Sequence, residues 1–256
     1  MILRKSVGIV VICHPGYAKY IHACVEAINK QTLPFTRKVL VWDDMELFPA
    51  WAMFPGWECF PSHGGPNAAR NAGLQECYSC EWVVFWDADN IMPRDYHAQG
   101  YATLSTAAKN IGVCYPDVQN VDEAGKLLHR HRMPEWSHKM AQSRSVVDSA
   151  SFWRVEAVCE AGGFDHDQVR HDDYTLALRV FRAGWKGQKS HACVHHLTHG
   201  RNRSLVNDMT ESLWIAYHFA FVTLWSGSDL HASTKVLEWL ATADIPPMSM
   251  LYWVDN

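Results

Sequence analysis

The chain has 256 residues, which suits one large α/β domain or one domain with a helical appendage. Apolar residues make up 48% and charged residues 20%, an ordinary globular balance that supplies a sizeable core. A formal net charge of -4, with fifteen histidines counted neutral, excludes the global basic excess that advertises nucleic-acid or anionic-membrane binding.

The chain opens MILRKSVGIVVICHPG. Its short apolar run stops at His14-Pro15 without a small-residue cleavage site, so it predicts a first strand rather than a signal peptide. Val7–Cys13 is continuously apolar and β-branched, the pattern of a strand buried on both faces. Tyr17, Ile21, Cys24, Val25 and Ile28 then recur at helical spacing. Residues 38–42 are strand-like and run into Asp43-Asp44. A loop rich in Pro, Gly and Trp is expected over 48–66, a helix over 67–77 and a third apolar strand over 82–86, ending at Asp87. Strand, helix, strand, loop, helix, strand is the order of a parallel sheet with crossover helices. Ligands of such sheets gather at the carboxyl ends of the strands.

The middle of the chain carries weaker patterns. A short strand is expected at 112–115, a turn at 122–126 and a basic loop over 127–136. A strand at 149–154 leads into a short helix at 155–161, and Gly162-Gly163 breaks the chain. Residues 172–183 predict a helix with Leu176, Val180 and Ala183 on one stripe and Gly184 as its stop. Alternation over 193–197 reads as a strand end. A last helix is expected over about 206–225, with Trp214, Tyr217, Phe221 and Trp225 as an aromatic stripe. That stripe suits packing on the domain; a membrane-surface or acceptor contact is the alternative. The expected division is a catalytic domain over 1–205 and a helical extension over 206–256. The longest apolar stretch, 213–225, is interrupted by His218 and is too short to span a bilayer. The eight cysteines are scattered, several in apolar runs, which reads as reduced thiols in a cytoplasmic protein. The pair Cys77-x-x-Cys80 lacks a second pair at zinc-knuckle spacing. Packing is its plain reading, with a zinc or redox role as the alternative.

Four segments carry candidate chemistry. Asp87-Ala88-Asp89 follows a buried strand, and two carboxylates at that spacing can meet one hard divalent cation and the diphosphate it carries. Gly64-Gly65-Pro66 turns into a helix whose free amides suit an anion. Arg70, one turn in, can fork onto a phosphate or pair with a nearby aspartate. His171-Asp172-Asp173 opens the 172–183 helix, where acids either cap the dipole or serve a site. His191, His195, His196 and His199 precede Arg201 and Arg203. One of these histidines can complete a cation's shell, while no cysteine or carboxylate spacing supports a separate zinc site.

The strings VGIVVIC, YIHACVEAINKQTLPFTRKVLVWDD, GGPNAARNAGL, WVVFWDADN and GGFDHDQVRHDDYTLALRVFRAGWKG, in this order, resemble family 2 of the glycosyltransferases. They span most of residues 6–200. The resemblance implies the GT-A fold: an α/β, Rossmann-like, mostly parallel central sheet flanked by helices, here with a C-terminal helical extension. It also implies a nucleotide-sugar donor, a Mn²⁺ or Mg²⁺ ion and inversion at the anomeric carbon. Carried over, Asp43 and Asp44 hold the base of the nucleotide, with Cys13 and His14 in the wall where the family usually has Pro-Thr-Tyr-Asn. Arg70 lies near the nucleotide or its diphosphate. Asp87 and Ala88 approach the donor, Asp87 and Asp89 the metal, and Asp89 is its main ligand. Asp172-Asp173 takes the place of the family's acidic pair, with Asp173 as general base. His196, then His199, fits the late metal-binding histidine. Met45 and Glu46 replace the usual glycine and serine after the second strand, and the Trp-rich loop over 48–60 has no counterpart.

The implied reaction is transfer of a sugar from a nucleotide diphosphate, UDP-sugar favoured, to an acceptor hydroxyl. The acceptor is open: a glycan, a lipid-linked sugar, a protein side chain, a small molecule or a modified nucleic-acid base. Leu128-His129-Arg130-His131-Arg132 and Arg201-Asn202-Arg203 are locally basic and can meet acceptor phosphates, serve the donor diphosphate or stay solvated. A nucleotidyltransferase is the rival enzyme class, but Gly16 and Lys19 are all that 13–20 offers toward its phosphate loop. A non-catalytic nucleotide-sugar-binding module is the third reading.

Overall fold

The apolar run Val7–Cys13 forms strand β1, and all of it is buried, as a strand covered on both faces must be. The structure is a computed structural model and describes residues 5–44, 49, 53–137, 141, 145–165 and 172–199. A 3-10 helix over Pro15–Tyr20 leads into α1 (Ile21–Asn29), which buries Ile21, Cys24, Val25 and Ile28. β2 (Arg37–Asp43) lies parallel to β1. Next come β3 (Glu58–Ser62), α2 (Pro66–Glu76) and β4 (Trp82–Asp87). The second half comprises α3 (Tyr96–Thr106), β5 (Ile111–Val121), β6 (Leu127–His131), β7 (Phe152–Arg154), α4 (Val155–Glu160), α5 (Asp172–Arg182) and β8 (Lys186–Leu197).

These strands make one sheet in the order β3-β2-β1-β4-β7-β5-β6, with β8 pairing β5. β7 runs against β4 and β5, and β6 runs against β5, while all other pairings are parallel. Helix α2 packs on β1, β2 and β3, α3 on β5 and β8, and α4 on α5 and β5. This is the mostly parallel α/β sheet, flanked by helices, that the sequence implies. Its centre is aromatic: Trp82, Trp86, Trp153, Tyr96 and Phe152 are fully buried. Tyr96 stacks on Phe152 at 5.2 Å and donates its hydroxyl hydrogen to the Ala150 carbonyl, tying α3 to the strand that follows. α2 approaches β1 so closely that a Cβ on Gly73 would lie 2.2 Å from Val10 Cγ1. That closeness brings the first turn of α2 over the strand ends.

Several elements differ from the sequence expectation. β3 stands inside the expected 48–66 loop. Its sequence, Glu-Cys-Phe-Pro-Ser, has no apolar alternation, and it is recruited by the free edge of β2. Pro61 is tolerated because β3 is an edge strand. The expected basic loop over 127–136 begins as β6, an exposed edge strand. α3 was not expected at all, because its sequence, YHAQGYATLST, carries no strong apolar stripe. β5 and β8 are far longer than the 112–115 and 193–197 segments, since each is stabilised by pairing with the other rather than by its own pattern. The 206–225 helix, residues 45–48, most of the Trp-rich loop before Met53, His171, Arg201 and Arg203 lie outside the described residues.

The chain divides into two compact units, Met1–Thr198 and His199–Asn256. Every element above belongs to the first. Among the described residues, no helix is long and apolar enough to cross a membrane.

Candidate active site

In register, Ile12 of β1 stands beside Asp87 of β4, and Cys13 beside Trp42 of β2. The carboxyl ends of these strands therefore form one rim. β2 and β4 flank β1 on opposite sides, so the connection order reverses there, and such a switch point opens the ligand crevice of an α/β sheet. Cys13 is buried in this rim; burial, then the charge of Asp89, pushes its thiol up to about 12 and keeps it neutral. His14 is exposed, and its Nδ1 accepts the Gly16 N–H at 3.1 Å. Asp43 is buried and accepts the Gly65 N–H at 3.1 Å. Gly65 has φ 88°, in the left-handed region that favours glycine, and it starts α2. Asp43 thus pins the turn that launches the helix. Asp44 donates its own N–H to the Ser62 carbonyl at 3.1 Å.

Arg70 is the hub of the rim. It is only 5% exposed. Nη2 donates to Asp87 Oδ1 at 2.9 Å, and Nη1 donates to Asp172 and, at 3.2 Å, to Asn67 Oδ1. Its guanidinium lies 5.4 Å from the Phe164 ring centroid. Burial opposes the charge, but Asp172, Asp87 and Asp173 outweigh it and hold Arg70 protonated. Of the two sequence readings for Arg70, both guanidinium arms take the carboxylate one here.

Residues 87–89 leave β4 with the Ala88 N–H on the Ile12 carbonyl at 3.1 Å, which fixes the turn carrying Asp89. Asp87 is pushed up by burial and, against the pull of Arg70, by Asp89, Asp172 and Asp148. Asp172 and Asp173 occupy the first turn of α5, where acids suit the helix dipole. Asp172 Oδ1 accepts the Asp173 N–H at 3.1 Å, and Asp173 Oδ1 accepts the Tyr174 N–H at 2.7 Å. Asp173 is pushed up to about 8 by burial first, then by Asp172 and Asp148.

Three residues that sequence reasoning did not single out complete the site. Asn71 Nδ2 donates to the Phe164 carbonyl at 2.8 Å, and its Oδ1 accepts the Phe164 N–H at 2.8 Å. Asn67 Nδ2 donates to the Asp165 carbonyl at 2.7 Å. Together they dock the Gly163-Phe164-Asp165 segment on α2. Their signal was the two asparagines four apart inside the quoted GGPNAARNAGL string. The third is Asp148, which accepts the Ala150 N–H at 2.8 Å and pairs through Oδ2 with His196 Nε2 at 3.0 Å. Burial acts against the Asp148 charge, but His196 outweighs it and holds the carboxyl below its ordinary value. Burial lowers His196 and the charges of Asp148, Asp87 and Asp89 overcome this, pushing it up to about 9. No periodicity surrounds Asp148, and its only signal was an acid before Ser-Ala-Ser and an apolar strand.

Arg70, Asp87, Asp89, Asp148, Asp172, Asp173 and His196 therefore share one electrostatic environment, with Cys13 at its edge. His199 belongs to the second compact unit. Among the described residues, no three or more His, Cys, Asp or Glu side chains are arranged to hold a metal ion by themselves. The donor chemistry nonetheless fits a hard divalent cation. Mg²⁺ is commonly held by one or two carboxylates plus substrate phosphates rather than by an all-protein cage. Acidic neighbours push up both Asp87 and Asp173, and a bound cation relieves that repulsion. His196 Nε2 pairs with Asp148 here, so a metal taking that nitrogen would have to displace Asp148.

Residues 8–152 match the family model described as glycosyl transferase family 2. The chain belongs to that family. None of the curated proteins matches this sequence. Among solved structures, S. aureus TarS 1-349 in complex with UDP-GlcNAc superimposes with a TM-score of 0.66 at 13% identity, covering 97% of this chain and 76% of that one. TarS 1-349 in complex with UDP gives 0.62 at 13% identity, covering 97% and 75%. The TarS structure of greater length gives 0.61 at 11% identity, covering 97% and 46%. At such identities the likeness is one of fold, and the fold is the GT-A sheet that the sequence resemblance implies. The matched family segment runs from β1 to the first residue of β7, and so holds Asp43, Arg70, Asp87, Asp89 and Asp148. Asp172, Asp173 and His196 of this family 2 chain reach the same rim from beyond it.

Proposed function

We propose that this family 2 glycosyltransferase moves a sugar from a UDP-sugar to an acceptor hydroxyl, with inversion at the anomeric carbon and a Mn²⁺ or Mg²⁺ ion. One observation carries the reading: acids from β4 and from α5 meet at one buried arginine, and the acid beside that meeting point, Asp173, holds its proton up to about 8. The UDP-GlcNAc and UDP complexes of structurally similar TarS support a uridine donor.

Asp43 and Asp44, at the end of β2, line the place for the nucleotide base, with Cys13 and His14 as its neighbouring wall. Asp87 and Asp89, with His196, would hold the divalent ion, which when bound supplies positive charge to the departing diphosphate. Arg70 orients Asp87 and Asp172 and keeps α5 against the strand ends. Asp173 takes the proton of the acceptor hydroxyl as that oxygen attacks the anomeric carbon from the face opposite the diphosphate. The bond from the anomeric carbon to the diphosphate oxygen breaks in the same step. A base whose proton affinity lies near the working pH is the most effective one, and such help is worth about 10²–10⁴-fold.

The reading places the catalytic domain over residues 1–205, the protein in the cytoplasm and the enzyme among the hexosyltransferases. Its test is nucleotide release. The full chain is incubated with Mn²⁺ and a panel of UDP- and GDP-sugars, and free nucleotide diphosphate is followed by mass spectrometry. Release of UDP from one UDP-sugar is expected. No release from any donor, with binding intact, would leave a binding module; pyrophosphate release from a nucleoside triphosphate supplied with a sugar 1-phosphate would mark a nucleotidyltransferase.

A further inference from the structure

Cys77 and Cys80 lie away from the cleft, between the end of α2 and the start of β4. The Cys80 N–H donates to the Cys77 carbonyl at 2.9 Å, closing a four-residue turn. Such a turn holds its end Cα atoms within about 7 Å. A disulfide spans Cα separations of about 4.4–6.8 Å. The side chains converge too, on one residue of β1. Both sulfurs cover Gly8 of β1: a Cβ there would lie 2.7 Å from Cys77 Sγ and 3.3 Å from Cys80 Sγ. Glycine inside a buried strand marks a close approach, and here two sulfurs make it. Cys77 is fully buried, whereas Cys80 is 7% exposed and lines a surface cleft of about 360 Å³ with Tyr78, Glu81, Arg154 and Cys159. Cys80 is therefore the less buried of the two and borders the cleft, while Cys77 is enclosed.

We propose that Cys80 and Cys77 form a reactive dithiol that takes a hydroperoxide as oxidant and closes to an intramolecular disulfide. Cys80, which borders the cleft, is the thiol that meets the peroxide. Its thiolate attacks the peroxide; an S–O bond forms as the O–O bond breaks. The sulfur gives up two electrons, and the leaving alkoxide or hydroxide takes the proton the thiol had lost. Cys77 sulfur then attacks Cys80 sulfur. The S–S bond forms, the S–O bond breaks, and the departing hydroxide leaves as water with the Cys77 proton. The local surroundings favour this division: the neighbouring Cys77 thiol, then Arg37 and Ser79, draw Cys80 down to about 7 against the effect of burial, and the same closeness pushes Cys77 well up. A thiol that ionises near neutral pH is the reactive member of such a pair. The proposal does not depend on the glycosyl-transfer reading.

The test uses the full chain and hydrogen peroxide. After exposure, free thiols are alkylated under denaturing conditions and the peptides are mapped by mass spectrometry. The expected product is an unalkylated Cys77–Cys80 disulfide, two hydrogens lighter than the dithiol, while Cys24 and Cys114 are alkylated. Cys159→Ser should leave the yield unchanged, and Cys77→Ser should stop at a Cys80 sulfenic acid that dimedone captures. Complete alkylation of both thiols in the wild-type chain would overturn the proposal, as would a Cys80–Cys159 disulfide. If Cys77→Ser does not fold, the wild-type and Cys159→Ser maps still decide.

Discussion

Asp172 and Asp173 are consecutive residues on one helical turn, yet they face opposite electrical settings. On one side of the cleft, buried Arg70 gives one arm to Asp172 and the other to Asp87. On the other side, burial, Asp172 and Asp148 all push Asp173 up to about 8. Asp148 is answered there by His196 instead. The difference teaches how adjacent acids divide their work. The paired acid fastens α5 to α2 and β4. The acid outside the Arg70 hydrogen bonds keeps a raised proton affinity, which is the property a general base needs.

The comparison breaks most visibly at Arg70. Arg70→Met removes the guanidinium that bridges Asp87 and Asp172 and leaves the two carboxylates without it. Breaking a buried pair in this way costs about 3–5 kcal/mol. The partly exposed partners favour the lower end. Denaturant unfolding should register the loss, and stability within error of wild type would show that the hub is ornamental. On the opposite side, Asp148→Ala leaves His196 without its carboxylate, and the loss of a hydrogen bond to a charged group is worth about 1–3 kcal/mol. Unfolding in the presence of chelator checks it; an unchanged midpoint would mean that the pair contributes nothing.

Two further outcomes sharpen the contrast through pH. The acid limb of kcat/KM should lie above the ordinary aspartate range, with activity rising as Asp173 loses its proton. A limb near the ordinary aspartate value would place the base elsewhere. The smallest effect is on stability. A carboxyl whose folded value exceeds its unfolded value of 3.8 favours the fold below that lower value. The contribution is lost as pH rises toward about 8. Asp173→Asn abolishes this loss, so its Tm relative to wild type should climb between those limits. A constant difference would argue that Asp173 is not pushed up.

What the sequence discloses follows from the kind of force that shapes each part. β1, β2 and β4 are legible because each is buried on both faces and writes its burial as an unbroken apolar run. The acids that end β2 and β4, and Arg70 one turn into α2, can be read from those runs. β3, β6 and most of β8 are not legible, because edge pairing and a long parallel partner, rather than side-chain alternation, make them strands. The same holds for the site. Asp172 and Asp173 can be read from a strong helical stripe behind them. Asp148 cannot, because it reaches the cleft on an irregular segment and is recognised by its contact with His196 alone. That Arg70 joins α2, β4 and α5 is likewise a tertiary fact, since its partners lie 17 and 102 residues away.

The account turns on whether Asp173 performs the proton transfer. Asp173→Asn keeps the size of the side chain and the acceptor for the Tyr174 N–H. Donor affinity of this variant, measured by calorimetry with Mn²⁺, should match the wild type, while its turnover of the same UDP-sugar should fall at least roughly a hundredfold. A variant that binds donor normally and turns it over at nearly the wild-type rate would contradict the account.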